Sequence, residues 1–149
     1  MTLRAARALE RAVTGACESA YPDEGCGLLL GPVPDAFDQP GRALRVDEVR
    51  ALPNGWDASA KTNRYLIDPR LLAKVEGELS GTGRGVVGFY HSHPDHPAWP
   101  SPFDLMMAWP CLSYWIVRVD AGKAVDGRSW QRTEDGRSFV EEEIVLLEE

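Results

Sequence analysis

Residues 85–104 have the sequence GVVGFYHSHPDHPAWPSPFD, which contains the strongest signals for secondary structure in the chain. The β-branched and aromatic residues at the start of this stretch favour a central strand over residues 85–93. Three prolines then stiffen the connection that follows. Ser101 and Asp104 have the arrangement that begins many helices, with a serine N-cap, a proline in the first turn and an acid three residues after the cap. The stretch therefore predicts a strand, a rigid turn and a helix over residues 101–109.

Strands and helices alternate on both sides of this stretch. Residues 3–20 predict an amphipathic helix that ends at Pro22, and residues 69–79 predict a second one capped by Asp68. Residues 121–127 predict the turn of a hairpin. The other predicted strands are residues 26–31, 43–52, 64–67, 112–119 and 129–132, and the predicted loops are residues 32–42 and 53–63. Residues 139–147 are either a final strand or a helix, with a strand favoured for residues 144–147. Strands mixed with three helices predict an α/β or α+β sandwich.

The composition is that of one acidic globular domain. The chain has 149 residues, with 16 Lys and Arg against 23 Asp and Glu and a net charge of −7, and we expect residues 1–149 to form a single domain. The acidic balance argues against a nucleic acid or an anionic membrane as a partner. No apolar run reaches the roughly 20 residues of a membrane span, and the N-terminus does not resemble a signal peptide. Three scattered cysteines do not form a disulfide framework, so we expect a cytoplasmic protein.

All the histidines of the chain fall within six residues, and two of them suit a metal site. His91 and His93 are two residues apart at the end of a predicted strand, so their side chains share one face. Ser101 and Asp104 are three apart at the start of a predicted helix and share a face as well. Two histidines and one carboxylate are a common ligand set for catalytic zinc, which activates a water and polarises a carbonyl.

Hydrolysis at such a site needs a general base, usually a carboxylate that is not itself a ligand. Glu24 is the best candidate, because it lies in a turn between two predicted buried elements. Other interpretations stay open. Two histidines on a strand are usually not ligands, and Ser101 has a role as a helix cap whether or not the site is real. Cys26 is either a ligand or, more in keeping with its type, a small buried residue.

Together these residues resemble the motif of the JAMM (MPN+) metalloprotease family, also called Mov34/MPN/PAD-1. The motif of that family is a glutamate well upstream, followed by H-[ST]-H-P-x6-S-x2-D. The chain has every position of it: Glu24, His91, Ser92, His93, Pro94, Ser101 and Asp104. The flanking stretches PDEGCGLLLG, RYLIDP and GVVGFYHSHP are also similar to the family, so the resemblance covers roughly residues 3–147.

The resemblance implies a fold and a set of roles. The fold is a curved mixed β-sheet packed between helices, the MPN/JAB fold, which resembles cytidine deaminases. His91, His93 and Asp104 would bind one Zn²⁺. Glu24 would act as general base and then as proton donor to the leaving amine. Ser101 would hydrogen-bond the developing oxyanion or orient the water. The reaction would be hydrolysis of a peptide or isopeptide bond.

The resemblance also suggests a substrate. Between Asp104 and residue 112 there is no room for the long insertion with which eukaryotic relatives grip ubiquitin, so the chain resembles the small prokaryotic members of the family. Those members are associated with ubiquitin-like sulfur-carrier proteins whose tails end in Gly-Gly. Our hypothesis is a zinc metallopeptidase that acts on such a carrier or its conjugate, with the extended tail paired to an edge strand. The alternatives are a general deubiquitinase-like isopeptidase, a non-catalytic MPN scaffold or binding module, and a RadC-like protein linked with DNA repair. RadC-like proteins usually have a preceding helical domain and a motif similar to HNHPSG.

The neighbours of the motif have simpler interpretations. His96 is a surface residue or a substrate contact, and Trp99 either walls the site or covers the core. Ser92 faces away from the two histidines and is structural. The predicted core includes Phe89, Trp109, Tyr114 and Trp115, and the predicted solvated acids are Glu141–Glu143 and Glu148–Glu149.

Overall fold

Eight strands make one mixed sheet in the computed structural model, which describes residues 1–39 and 41–148. Pro40 of the predicted loop and Glu149 of the predicted acidic tail lie outside these residues. The helices are α1 (Arg7–Ala20), α2 (Pro69–Leu79) and α3 (Pro102–Met107). The strands are β1 (Thr2–Ala6), β2 (Cys26–Pro32), β3 (Ala43–Val46), β4 (Glu48–Leu52), β5 (Arg84–Pro94), β6 (Ser113–Asp120), β7 (Lys123–Arg132) and β8 (Phe139–Leu147).

The sheet curves until its two edges lie next to each other. Its strand order is β3-β1-β8-β7-β6-β5-β2-β4, with β1 parallel to β3 and β8, β5 parallel to β6, and antiparallel pairs elsewhere. The edge strands β3 and β4 are joined by Asp47 alone, so they cannot be far apart. Gly31 in β2 permits the close approach, because a Cβ there would lie 1.8 Å from the carbonyl oxygen of Arg45 in β3.

Helices cover both faces of the sheet, as predicted from the resemblance. On one face, Val13 of α1 packs in a cluster with Leu29. On the other face, Val75 of α2 packs in a cluster with Leu28 and Leu30. Successive residues of β2 therefore contribute to opposite cores, which is the period of a strand buried on both sides. The expected curved mixed sheet between helices is confirmed.

A β-bulge in β5 decides which face receives the histidines. Leu29 lies opposite Gly88 and Leu30 lies opposite Val86, so Val87 is an extra residue in β5. Val87 packs on the α1 face, whereas Phe89, two residues later, packs on the α2 face. The bulge therefore turns the end of β5, and the odd-numbered residues after it point to the side of α2 and α3.

The first predicted helix is too long at its start. Residues 2–6 form β1, and α1 begins only at Arg7. Leu3 and Ala5 are fully buried and alternate with more exposed neighbours, which is the pattern of a strand. The pairing partners of β1 are β3 and β8, at distant positions in the chain, so local periodicity could not reveal it. Pro22, which follows a cis peptide bond with Tyr21, lies just after the end of α1, as predicted.

Three other predicted boundaries are wrong. Residues 43–52 form two strands rather than one, and these lie at opposite edges of the sheet. Residues 64–67 form a loop rather than a strand. The hairpin turn is only Ala121 and Gly122, because both residues have positive φ angles that allow β7 to begin at Lys123. Of the two alternatives for residues 139–147, the strand is correct, and it extends over the whole of β8.

Two predicted exposures are also wrong. Trp109 is 63% exposed rather than part of the core, whereas Phe89, Tyr114 and Trp115 are buried as predicted. Glu142 is buried beside Arg42 and accepts hydrogen bonds from two serine hydroxyls, although its neighbours in sequence are exposed. The side chain at position 142 alternates inward in β8, where Oε1 accepts both serine hydrogen bonds and Oε2 lies 3.6 Å from Nη1 of Arg42. A run of acids therefore does not by itself indicate a solvated edge. Within the described ranges, none of the helices combines the length and the apolar character that a membrane span needs.

Candidate metal centre

Three side chains converge where β5 ends and α3 begins. The Nε2 atoms of His91 and His93 are 3.2 Å apart. Asp104 places Oδ1 3.3 Å from Nε2 of His91 and Oδ2 3.1 Å from Nε2 of His93. Tetrahedral zinc with ligands at about 2.0–2.1 Å requires ligand atoms roughly 3.3 Å apart, so the triangle has the size that one such ion needs. In the part of the chain that the structure describes, this is the one group of three His, Cys, Asp or Glu residues with converging ligand atoms.

The two histidine rings are held in different ways. Nδ1 of His93 is 2.8 Å from the carbonyl oxygen of Pro97, which can only accept. Nδ1 therefore carries a proton, and Nε2 faces Asp104, where it donates to the carboxylate when the ring is protonated and offers a lone pair to a metal when the ring is neutral. The ring of His91 stacks on Tyr65, with ring centroids 4.4 Å apart and planes 20° from parallel. Its Nδ1 is buried without a hydrogen-bond partner among the described residues, so stacking is what orients this ring.

Asp104 is fixed by the start of α3. Ser101 Oγ accepts a hydrogen bond from the backbone amide of Asp104, and Asp104 Oδ2 accepts one from the backbone amide of Ser101. This reciprocal pair is a capping box, as the sequence predicts. The Ser101 hydroxyl keeps its own proton, because it acts as an acceptor in the cap. Ser101 can therefore cap the helix and still donate a hydrogen bond to a molecule in the site.

The charges of the three residues are interdependent. Burial disfavours the charged form of Asp104, but His91 and hydrogen bonds from both histidines and the Ser101 amide outweigh it and hold the pKa of this carboxyl well below its usual range. Burial lowers the pKa of His91, and Asp104 offsets only part of that effect. Burial also lowers the pKa of His93, but the hydrogen bonds to Asp104 and to the Pro97 carbonyl outweigh burial and raise it. The centre therefore presents a carboxylate and a neutral His91 near neutral pH.

Glu24 is buried at the edge of the same site. Only 5% of its surface is exposed, and its Oε1 atom has no hydrogen-bond partner among the described residues. Burial raises the pKa of Glu24 to about 8. The backbone around it is tied to β5, because the amide of Gly25 donates to the Ser92 hydroxyl at 2.8 Å. Ser92 thus lies on the opposite side of β5 from the two histidines, and its structural role is the one predicted.

Comparison with known proteins decides the family. A family model described as prokaryotic homologs of the JAB domain matches residues 6–133. The chain belongs to this family. The resemblance to JAMM/MPN proteins noted from the motif is thereby confirmed.

Three named relatives of this JAB domain are proteases or peptidases. It is 34% identical over 103 residues to a probable TtuB-protein conjugate cleaving protease of Thermus thermophilus, a match that covers 69% of this chain and 61% of the relative. It is 32% identical over 100 residues to the desampylase of Haloferax volcanii, with 66% and 65% covered. It is 28% identical over 130 residues to the CysO-cysteine peptidase of Mycobacterium bovis, with 87% and 80% covered. The chain thus spans less than two thirds of the length of the first two relatives.

Solved structures have the same fold. Protein DSY2949 from Desulfitobacterium hafniense superposes with a TM-score of 0.77 at 31% identity, over 100% of this chain and 94% of that one. A structure described as JAMM, a metalloprotease-like zinc site in the proteasome and signalosome, superposes with a TM-score of 0.54 at 19% identity, over 99% of both chains. The second match shows the fold alone.

A cavity of about 340 Å³ opens in front of the metal centre of this JAB domain. Its lining residues are Glu24, Asn63, Arg64, His93, His96, Pro97, Trp99 and Ser101. Of the interpretations left open above, Trp99 walls the site, since it is 55% exposed and leans on Trp130 with ring centroids 4.9 Å apart. His96 is exposed on the same wall. Cys26 is a small buried residue that points to the carbonyl oxygen of Leu52, outside the metal group.

Asn54 is a site residue that sequence reasoning missed. Its amide group donates to the carbonyl oxygens of Glu24 and Arg64 and accepts from the backbone amides of Trp56 and Leu66, at 3.0–3.2 Å. Both amide protons and both acceptor positions are thus used. Residues 64–67 form a loop rather than the predicted strand, and the Asn54 side chain supplies this loop with hydrogen bonds that a neighbouring strand would otherwise supply. In the sequence, Asn54-Gly55 indicates only a turn.

Proposed function

We propose that this chain is a zinc-dependent metallopeptidase that hydrolyses a peptide or isopeptide bond at the C-terminal Gly-Gly tail of a ubiquitin-like sulfur-carrier protein. The observation that carries the proposal is the triangle of His91, His93 and Asp104. Its His93 lines a cavity that is also lined by Glu24 and Ser101. A binding module would not need an unpartnered buried carboxylate beside three converging ligand atoms.

The donor set favours zinc. Two imidazole nitrogens and one carboxylate oxygen suit Zn²⁺, and three protein ligands leave a position open for water or substrate. Two imine lone pairs held 3.2 Å apart repel each other unless a cation or a proton lies between them. When bound, zinc lowers the pKa of water and polarises the carbonyl of the scissile bond.

The remaining residues supply proton transfer and orientation. Glu24 in its carboxylate form accepts a proton from the attacking water and delivers it to the leaving amine. Burial favours return of that proton, because it disfavours the charged form of the carboxyl. The Ser101 hydroxyl donates to the oxygen on which charge develops. Water adds across the C–N bond, so the products are the carrier with a free terminal carboxylate and a free amine.

The substrate class rests on the relatives and on the edge of the sheet. Three relatives are named a probable TtuB-protein conjugate cleaving protease, a desampylase and a CysO-cysteine peptidase. The edge strand β4 ends at Leu52, two residues before Asn54, which binds the backbone of Glu24. An extended tail that pairs with β4 would therefore point toward the cavity. Glycines at the end of that tail fit a narrow entrance.

Intact-mass measurement of a model substrate tests the proposal. Zinc-loaded protein is incubated with a small ubiquitin-like carrier whose tail continues beyond Gly-Gly, beside a Glu24→Gln control. We expect cleavage after the second glycine in the wild type, with at least a thousandfold lower rate in the variant. Equal rates in the two proteins would contradict the role of Glu24. If this linear carrier and a conjugate of the same carrier with a lysine side chain both stay intact with zinc bound, the substrate class is contradicted.

A further inference from the structure

Arg64 places an unpaired positive charge in the wall of the catalytic cavity. It lines the same space as Glu24 and Ser101. It is near enough to Glu24 that its charge offsets part of the effect of burial on the pKa of that carboxyl. Among the described residues, no carboxylate lies within ion-pairing distance of the Arg64 guanidinium. The chain has a net charge of −7, yet this arginine lies beside the reacting groups and forms no ion pair. Such an arginine can attract an anionic ligand into the cavity.

The guanidinium is held in place before any ligand binds. It lies 4.5 Å from the ring centroid of Phe103, and its Nη1 donates to the carbonyl oxygen of Asn63 at 2.8 Å. Phe103 is supported edge-on by Trp56, with ring centroids 5.4 Å apart. The carbonyl oxygen of Arg64 itself is fixed by the Asn54 amide. Such preorganisation reduces the entropy lost when an arginine binds a partner.

The cavity is small, and this limits what the anion can be. About 340 Å³ is at the low end for a ligand pocket and has room for the end of a tail and one further residue. Consecutive Cα atoms are about 3.8 Å apart, so the carboxylate of a single residue beyond the scissile bond stays within the cavity. A planar guanidinium matches a carboxylate with two parallel hydrogen bonds. A lysine side chain joined by an isopeptide bond brings no carboxylate to this place.

We propose that Arg64 binds the free α-carboxylate of the residue that hydrolysis releases, so that this chain acts on linear carriers extended by one C-terminal residue rather than on lysine conjugates. The inference rests on the proposed function and narrows it. The bond that breaks is the amide between the second glycine and the last residue. Water supplies the hydroxyl to the glycine carbonyl and the proton to the amine.

Two matched substrates test the inference. One is a carrier that ends in Gly-Gly-Ala with a free carboxylate, and the other is the same carrier with a C-terminal carboxamide. Each is given to wild type, Arg64→Gln, Arg64→Lys and a control, Arg11→Gln, in which the exposed arginine lies on α1 at the opposite face of the sheet. Equilibrium binding of both substrates to Glu24→Gln and to Glu24→Gln with Arg64→Gln is measured by calorimetry.

We expect wild type and Arg11→Gln to cleave the acid about ten to a hundred times more efficiently than the amide, the range for a hydrogen bond to a charged group. Arg64→Gln should lose this preference, so that its ratio of acid to amide cleavage falls to about one, and Arg64→Lys should keep part of it. Binding should show the same preference. Equal cleavage of acid and amide by the wild type, or an Arg64→Gln that slows both substrates equally, would overturn the inference. A third substrate, the same carrier joined through its second glycine to a lysine side chain, separates the two failures. If zinc-loaded wild type cleaves only this conjugate, the inference fails and the proposed function stands. If it cleaves none of the three substrates, the proposed function fails, and binding still tests Arg64.

Discussion

Ser101 and Asp104 bind each other's backbone amides, at 3.0 Å from the serine hydroxyl and 2.9 Å from the carboxylate. The same carboxylate oxygen, Oδ2, lies 3.1 Å from Nε2 of His93. The atom that caps α3 is therefore also an atom of the metal centre. Because one side-chain conformation of Asp104 serves both purposes, the start of α3 fixes the position of the Asp104 carboxylate, and no other element is needed to orient it.

Removing the Ser101 hydroxyl should affect stability and catalysis together. We expect Ser101→Ala to lower the free energy of unfolding by about 1 kcal/mol through loss of the cap. We expect it to lower kcat by about a hundredfold through loss of the donor to the oxyanion. Chemical denaturation and steady-state kinetics at equal zinc content measure the two effects. Ser101→Thr keeps the hydroxyl and should preserve both; a Ser101→Ala protein with wild-type kcat would refute the catalytic role.

Zinc affinity should fall in acid. The metal binds neutral imidazole, so protons compete with it. The pKa of His93 is raised, so protons begin to compete for this ligand at a higher pH than they would for an ordinary histidine. The pKa of His91 is lowered, so protons compete for it only at lower pH. We expect full occupancy at about pH 7.5 and substantial loss below about pH 6. Metal analysis after dialysis at several pH values measures it, and full occupancy at about pH 4.5 would contradict the assignment.

Glu24 should make the metal-free protein less stable as the pH rises. Its pKa is about 8 in the folded protein against 4.5 when exposed, so the folded state binds the extra proton between these values. The stability that Glu24 contributes is complete below pH 4.5 and is lost as the pH rises through about 8. The thermal stability of Glu24→Gln relative to wild type should therefore increase from about pH 5 to about pH 8, and the variant should remain the more stable protein at higher pH.

Thermal melts in the presence of a chelator measure this difference, which we expect to reach at least about 4 °C. Glu76→Gln, an exposed glutamate on α2, is the matched control and should show no such trend. A constant offset between wild type and Glu24→Gln over the whole pH range would mean that Glu24 is not a buried acid.

Asn54 should prove important for catalysis although it touches no reacting atom. Asn54→Ala removes the four hydrogen bonds that hold Glu24 and the Arg64 loop, and we expect a loss of about 1–3 kcal/mol in stability. With zinc still bound, kcat should fall more than KM rises, because the base and not the metal is displaced. Asn54→Asp keeps both acceptor positions and should recover part of the stability. Unchanged kcat in Asn54→Ala would show that Glu24 is positioned by other contacts.

Two neighbouring glutamates of β8 should differ sharply in their contribution to stability. Glu142 is buried with Arg42 and with hydroxyls of Ser113 and Ser129, so Glu142→Ala leaves an uncompensated charge and should cost about 3–5 kcal/mol. Glu141 forms an exposed pair with Arg128, and Glu141→Ala should cost less than about 1 kcal/mol. Denaturant unfolding of the two variants measures the difference, and equal losses would contradict the buried network.

The convergence of the three candidate metal ligands could be predicted from sequence because its geometry is local. His91 and His93 share a face by the period of a strand, and Ser101 and Asp104 are joined by a capping box that the sequence displays. Glu24 is distant in the chain, and its place in the site came from the motif of a known family. Its burial and the cavity in front of it are properties of the fold.

The parts that could not be predicted depend on distant partners. Leu3 and Ala5 alternate over too few residues to outweigh the helical pattern that follows, and only pairing with β3 and β8 makes them a strand. Residues 43–52 look continuous, yet Asp47 separates strands at opposite edges. Asn54 carries no signal beyond a turn, because its role consists of contacts with segments about thirty residues before it and about ten after it.

His91, His93 and Asp104 should together hold one zinc ion, which anomalous diffraction at the zinc edge can locate. Crystals of the zinc-loaded protein should show one strong peak per chain at about 2.0–2.2 Å from Nε2 of each histidine and from a carboxylate oxygen of Asp104. The peak should be missing in Asp104→Asn, which keeps a cap acceptor but loses the charge. A zinc-loaded crystal with no peak at this triangle, or with the same peak in Asp104→Asn, would contradict the account.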